Sequence, residues 1–168
     1  MQKLADGLQS FRLPTYTELP DFGLYLEQAT LYLNQTLSCL GFPEITGSMI
    51  RNYVKKGLIA NPVNKRYYAD QLAHLIAVSL LKHVLPLENI QILFQRQRRI
   101  YTDQKAFDYF GTELQNVLFF QLGLKDTLDE VGQTHSTEKE MLRSAIIALG
   151  NLVYLNGCFR LLAQENEE

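Results

Sequence analysis

The chain has 168 residues, enough for one domain or a small domain with a helical extension, and its 46% hydrophobic and 20% charged content excludes wholesale disorder. No run of 18 apolar residues and no apolar secretion-signal core are seen, so a cytoplasmic location with no membrane span is expected. The net charge of −2 excludes nothing by itself, but residues 46–68 hold five of the 16 basic residues and none of the 18 acids, leaving eleven basic against eighteen acidic elsewhere.

In chain order, residues 1–21 form a lead-in with Pro14 and Pro20, extended or with a short helix. A first long helix is predicted over about 22–40, because Leu26, Ala29, Leu33, Leu37 and Leu40 recur at three- and four-residue steps. Gly41 and Pro43 end it. Thr46 is placed as the N-cap of a second helix over 47–56, which buries Ile50, Tyr53 and Val54 and stops at Gly57. Residues 58–60 and 65–68 are expected to pair as two very short strands around "NPVN". A third helix spans about 69–84 with Leu72, Leu75, Ile76, Ser79, Leu80 and Val84 inward. Pro86 opens a fourth, burying Ile90, Leu93 and Phe94, and "RQRR" at 96–99 closes it.

Beyond residue 100 a helix near 103–122 puts Phe107, Phe110, Leu114, Val117, Leu118 and Gln121 on one face before Gly123. The last helix, about 137–164, directs Met141, Leu142, Ala145, Ile146, Leu149, Leu152, Val153 and Phe159 inward, and Leu155 and Leu162 widen the stripe. Either an intramolecular hairpin or a dimer seam would cover so wide a face. The chain ends in an acidic tail, "ENEE".

A helix, a turn, a second basic helix and a short hairpin is the order of a winged helix-turn-helix. The expected fold is therefore mainly α, with a minimal two-stranded wing in a unit over 22–99 and a helical extension over 100–168. An acid-free basic stretch on an acidic chain is the footprint of a phosphate-backbone binder. A helix of about ten residues fits the major groove of double-stranded DNA, Arg and Asn near its start can bond base edges, and later lysines can neutralise phosphates. Thr46, Ser48, Arg51, Asn52, Tyr53, Lys55, Lys56, Lys65, Arg66 and Tyr67 form the expected DNA-facing set. Tyr53 also reads as a core residue of its helix, Tyr68 as the anchor packing the wing onto the third helix, and "RQRR" as an extension of the patch or a charged helix end.

"MIRNYVKKGLI" resembles the second helix of the MerR-type regulators, whose pattern reads TLRYYERxGLL. Met49, Ile50, Arg51, Tyr53, Lys55, Gly57, Leu58 and Ile59 fall in register. Pro62, the R-x-Y of Arg66 and Tyr68, and "LPLENI" at 85–90 against GFSLEEI continue the match over about 45 residues. Within that superfamily the chain is similar to an uncharacterised Gram-positive bacterial family described only as a domain of unknown function. Asn52 stands where MerR proteins usually have Tyr, Val54 where they have Glu, and "NPVNKRYY" is shorter than the usual wing. The resemblance implies Arg51 and Tyr53 near the DNA backbone, Arg66 on the wing, and a homodimer on near-palindromic sites. It implies a sequence-specific transcription regulator. The alternative is a winged-helix protein-interaction module that has lost DNA binding.

Other chemistries find little footing. Cys39 and Cys158 are far apart, without close ligand partners, and read as small buried hydrophobes, so no metal site is expected. His74, His83 and His135 are isolated, and Asp126, Asp129 and Glu130 cluster beside a loop without a basic partner. No catalytic motif or cofactor loop occurs, so neither an enzyme nor a bound cofactor is expected. A small organic effector could occupy a cavity lined by Phe107, Phe110, Phe119 and Phe120; the plainer expectation makes these rings core.

Overall fold

The computed structural model describes residues 2–165, so residues 166–168 of the acidic tail lie outside the described part. Within it are seven α-helices and one two-stranded antiparallel sheet: α1 (Gln2–Leu8), β1 (Leu24–Tyr25), α2 (Leu26–Leu37), α3 (Gly47–Lys55), β2 (Arg66–Tyr67), α4 (Ala69–Leu81), α5 (Leu87–Gln97), α6 (Asp103–Gln121) and α7 (Thr137–Glu165). Short 3-10 turns lie at Tyr16–Glu18 and Ser38–Leu40. One hydrophobic core runs from Leu4 in α1 to Val153 in α7, with α4 at its centre: every residue of that helix from Gln71 to Leu81 except His74 is buried. The lead-in belongs to this core through Leu8, Phe11, Leu13 and Leu19.

The first long helix begins at Leu26 rather than near 22, because the chain before it is a strand. β1 pairs with β2, Leu24 opposite Tyr67 and Tyr25 opposite Arg66. Gly23 permits the approach, since a Cβ there would lie 2.6 Å from the Cβ of Arg66. Each strand then runs directly into a helix: Gln28 accepts from the Tyr25 N–H at 2.9 Å, and Gln71 accepts from the Tyr68 N–H at 2.7 Å. The same Gln71, buried, donates to the carbonyls of Asn61 (2.7 Å) and Ala60 (3.2 Å), fixing the segment after α3.

The expected pairing of 58–60 with 65–68 is therefore corrected. Leu58 and Ile59 are apolar and sink into the core instead of lying along a strand edge. Only Val63 and Arg66 bridge, exchanging two hydrogen bonds of 3.0 Å across Asn64 and Lys65. Both central residues have positive φ, 50° and 63°, as in the tight turns that join antiparallel strands. Tyr67, not Tyr68, is the buried anchor of this hairpin.

α6 and α7 are not a hairpin. Tyr101 meets Ser136, Glu113 meets Arg143, Val117 meets Gly150 and Gln121 meets Asn151, so the meeting points advance together and the helices run in the same direction. A Cβ on Gly150 would collide with Val117, so glycine permits the close approach of the two helices there. Past the end of α6, α7 continues along α1, where Gly157 meets Leu4, and reaches the α2–α3 turn, where Arg160 donates to the Gly41 carbonyl at 3.1 Å. Leu142, Ala145, Ile146, Leu149 and Val153 are buried as expected, but Met141 and Phe159 are not: both project outward, Phe159 at 67% exposure, with Leu155 and Leu162. Among the described residues α7 alone is long and apolar enough to cross a membrane by length and composition, a test that the core helix of a soluble protein also passes.

Two smaller expectations change. Cys39 is exposed and Cys158 half-buried. Asp129 has a basic partner, the Lys125 ammonium at 2.5 Å, which with Thr127 holds its carboxyl below the usual range.

Candidate nucleic-acid interface

α3 is built by local signals at both ends. The Thr46 hydroxyl accepts from the Met49 N–H at 3.2 Å, satisfying an amide the first helical turn leaves unpaired. At the other end Gly57, with φ 75°, reverses the chain: its N–H donates to Val54, and that of Leu58 reaches back to Tyr53, both at 3.0 Å. Gln91 of α5 then donates to the Lys56 carbonyl at 3.3 Å.

Between these caps the helix has two unlike sides. Ile50 and Tyr53 are buried, whereas Ser48, Arg51, Asn52, Lys55 and Lys56 are exposed. The exposed set follows the i, i+3, i+4, i+7, i+8 spacing of a single helix face. Lys65 is exposed at the hairpin turn. Arg66 is half-buried and already engaged: its guanidinium lies 4.7 Å from the Tyr25 ring centroid and donates to the Tyr25 hydroxyl at 2.9 Å. Tyr53 and Tyr67, at 3% and 4% exposure, are held inside, so the surface offered to a partner consists of the other expected residues. Burial raises the Tyr67 phenol, and the charge of Arg51 acts in the opposite direction.

Two contributors escaped the sequence reading. Tyr25 is exposed beside Arg66 because the β1–β2 register puts them opposite each other. Lys82 brings its ammonium 5.8 Å from the Tyr53 ring centroid and 3.6 Å from the Met49 sulfur, adding a cation at the base of α3. Neither has a local motif. Within "RQRR", Arg96 binds Glu138 at 2.8 Å and Arg98 lies between His74 and Asp103, while Arg99 is exposed.

The turn before α3 is fixed from three sides. Asn34 of α2 donates to the Ile45 carbonyl (2.9 Å) and accepts from its N–H (2.8 Å), His83 stacks on Phe42 with centroids 3.9 Å apart, and Arg160 holds Gly41. Asn34→Ala strands both backbone groups of Ile45 at a half-buried place, and the expected cost is about 1–3 kcal/mol. Urea unfolding measures it; a change under about 0.5 kcal/mol, the range of neutral surface substitutions, would show the clamp idle.

Burial depresses both His83 and His74 below the ordinary value of 6.5, helped at His83 by Lys82 and opposed at His74 by Asp103. The unfolded chain thus protonates first as pH falls. Stability is full above about 6.5 and declines below it toward the folded values. Thermal unfolding at pH 7.5 and 5.5 should show the loss, and His74→Gln with His83→Gln should flatten it; an unchanged or rising midpoint at pH 5.5 would contradict it.

With this geometry in place, comparison with known proteins adds one result. The model of a family described as a domain of unknown function, DUF1836, matches residues 14–116, more than half of the chain. The chain belongs to this family. No curated protein matches it, and no solved structure does. The DUF1836 match takes in both strands, α2 to α5 and α6 as far as Asn116, and so contains the whole basic surface; α7 lies beyond it.

Proposed function

We propose that the chain is a sequence-specific DNA-binding transcription regulator of the MerR-like winged helix-turn-helix kind, acting in the cytoplasm. α2 and α3 serve as the helix-turn-helix, α3 as the reading helix and residues 58–68 as a short wing. The observation that carries the reading is the exposed face of α3, where Arg51, Asn52, Lys55 and Lys56 stand together within a run from 46 to 68 that contains no acid. A merely solvated face would mix both signs. The order strand, α2, α3, tight turn, strand, α4 supports it too, because it is the element order of a helix-turn-helix followed by a short wing. A homodimer would present two such helices to a near-palindrome, and the outward Leu155, Phe159 and Leu162 of α7 supply an apolar seam for it. No catalytic role forms part of this reading.

Fluorescence anisotropy with the protein's own upstream DNA, against an unrelated fragment, tests it across a salt series. If each protomer neutralises about four phosphates, log K should fall with log salt at a slope on the order of −4 per protomer. No binding, or binding that ignores salt, would overturn the regulator reading in favour of an interaction module built on the same surface.

A further inference from the structure

A cavity of about 520 Å³ lies outside the α3 surface, between α6, the start of α7 and residues 131–134 of the segment joining them. It is not where the phenylalanines suggested: Phe107 and Phe110 are core and border only a void of about 20 Å³, and Phe119 and Phe120 face elsewhere. Its walls are instead Tyr101, Tyr109, Val131 and Leu142, with two lysines, Lys105 and Lys139, along them. The volume lies within the roughly 300–1,000 Å³ of small-molecule sites.

The charges there are unevenly satisfied. Two carboxylates border the cavity, and each has a partner: Asp108 accepts from the Tyr16 N–H at 2.7 Å, and Glu138 from Arg96 at 2.8 Å. The two ammoniums have no carboxylate partner among the described residues. Lys105 lies 5.5 Å from the Tyr101 ring centroid, and Lys139 lies 5.4 Å from that of Tyr109 while donating to the Thr134 carbonyl at 2.8 Å. A cation resting on a ring face keeps its charge available to an anion. Beneath this wall the Tyr109 hydroxyl is sealed from solvent with no hydrogen-bond partner, so the ring is fixed by packing alone.

We infer that this cavity is a binding site for a small organic anion with an aromatic or apolar body, such as an aromatic carboxylate or sulfonate: the tyrosines and Leu142 take the body, and Lys105 and Lys139 take the charge. The site does not depend on DNA binding, and it is tested on the full chain alone.

The probes are 8-anilinonaphthalene-1-sulfonate and N-phenyl-1-naphthylamine, which share a ring system and differ by the sulfonate. Fluorescence titration should give one site per chain, with the sulfonate bound at least tenfold more tightly. Lys105→Gln with Lys139→Gln should bring the sulfonate down to the neutral probe's affinity and leave the neutral probe unchanged. Lys105→Gln alone, which breaks none of the loop's hydrogen bonds, should cost about threefold. Thr112→Trp, which fills the rim, should abolish both. Phe159→Ser with Leu155→Ser should change neither, excluding the α7 stripe as the binding place. Equal affinity for the two probes, indifference to the lysines, or loss of binding on changing the stripe would overturn the inference.

Discussion

Arg143→Met is expected to lower the unfolding free energy by about 3 kcal/mol, the low end of what breaking a buried ion pair costs. Glu113 of α6 is fully buried (0% exposed) and is held by the Arg143 Nε at 2.8 Å; its other hydrogen bond, from the Asn116 amide, is long at 3.4 Å. Removing the arginine leaves a carboxylate in the core with almost nothing to solvate it. The low end of the range applies because the Arg143 side chain is 27% exposed, so water can enter where its head was. For a domain of this size the change corresponds to roughly 6–12 °C in midpoint. Glu113→Gln in the Arg143→Met background should recover more than half of the loss, since it removes the stranded charge. Chemical denaturation of the two single variants and the double variant measures both effects. A single-variant cost under about 1 kcal/mol would mean that the pair is ordinary surface electrostatics.

The second large effect falls on binding rather than stability. Arg51→Ala together with Lys55→Ala should weaken DNA affinity by roughly tenfold to a thousandfold, taking about 1–3 kcal/mol for a base-contacting arginine and a smaller loss for a phosphate-contacting lysine. The salt slope should become shallower by about one for each phosphate that is no longer neutralised. Both side chains are exposed, so the folded state should change by no more than about 0.5 kcal/mol, and circular dichroism separates the two readouts. The single variants should differ in kind: Arg51→Ala relaxes discrimination between sequences, whereas Lys55→Ala weakens all of them alike. If the double variant binds as the wild type does, α3 is not the reading helix.

What the sequence made legible was what local chemistry decides. Thr46, Gly57 and the spacing of Ile50 and Tyr53 sit within a dozen residues of one another, and α3 formed as they required. Pro86 and Gly123 marked their helix ends for the same reason. The partner of β2 was hidden because β1 is two residues long and lies 41 positions away, too short to leave an alternating pattern. Glu113 and Arg143 carry no local mark of their pairing, since nothing in either stretch says that the two helix faces meet. Aromatic content alone could not locate the cavity: Phe107 and Phe110 went to the core, and Tyr101 and Tyr109 line the cavity instead, one with its hydroxyl on Ser136 and the other with its hydroxyl sealed inside. Phe159 turns outward because the last turns of α7 meet α1 and the α2–α3 turn through Gly157 and Arg160, a pairing with no local mark.

Because α6 and α7 point the same way, the chain must travel back along α6 before α7 can start. That distance is about 28 Å at 1.5 Å per residue, which eight or nine extended residues would cover. The connection has 15 residues. The excess, about six residues by the same geometry, is slack that need not bridge anything. It is drawn in by the Asn116 amide on the Asp129 carbonyl and by Lys139 on the carbonyls of Gly132 and Thr134, so the surplus length becomes one wall of the cavity. Trimming the connection to the shortest working tether would leave both helices joined and the chamber open on that side.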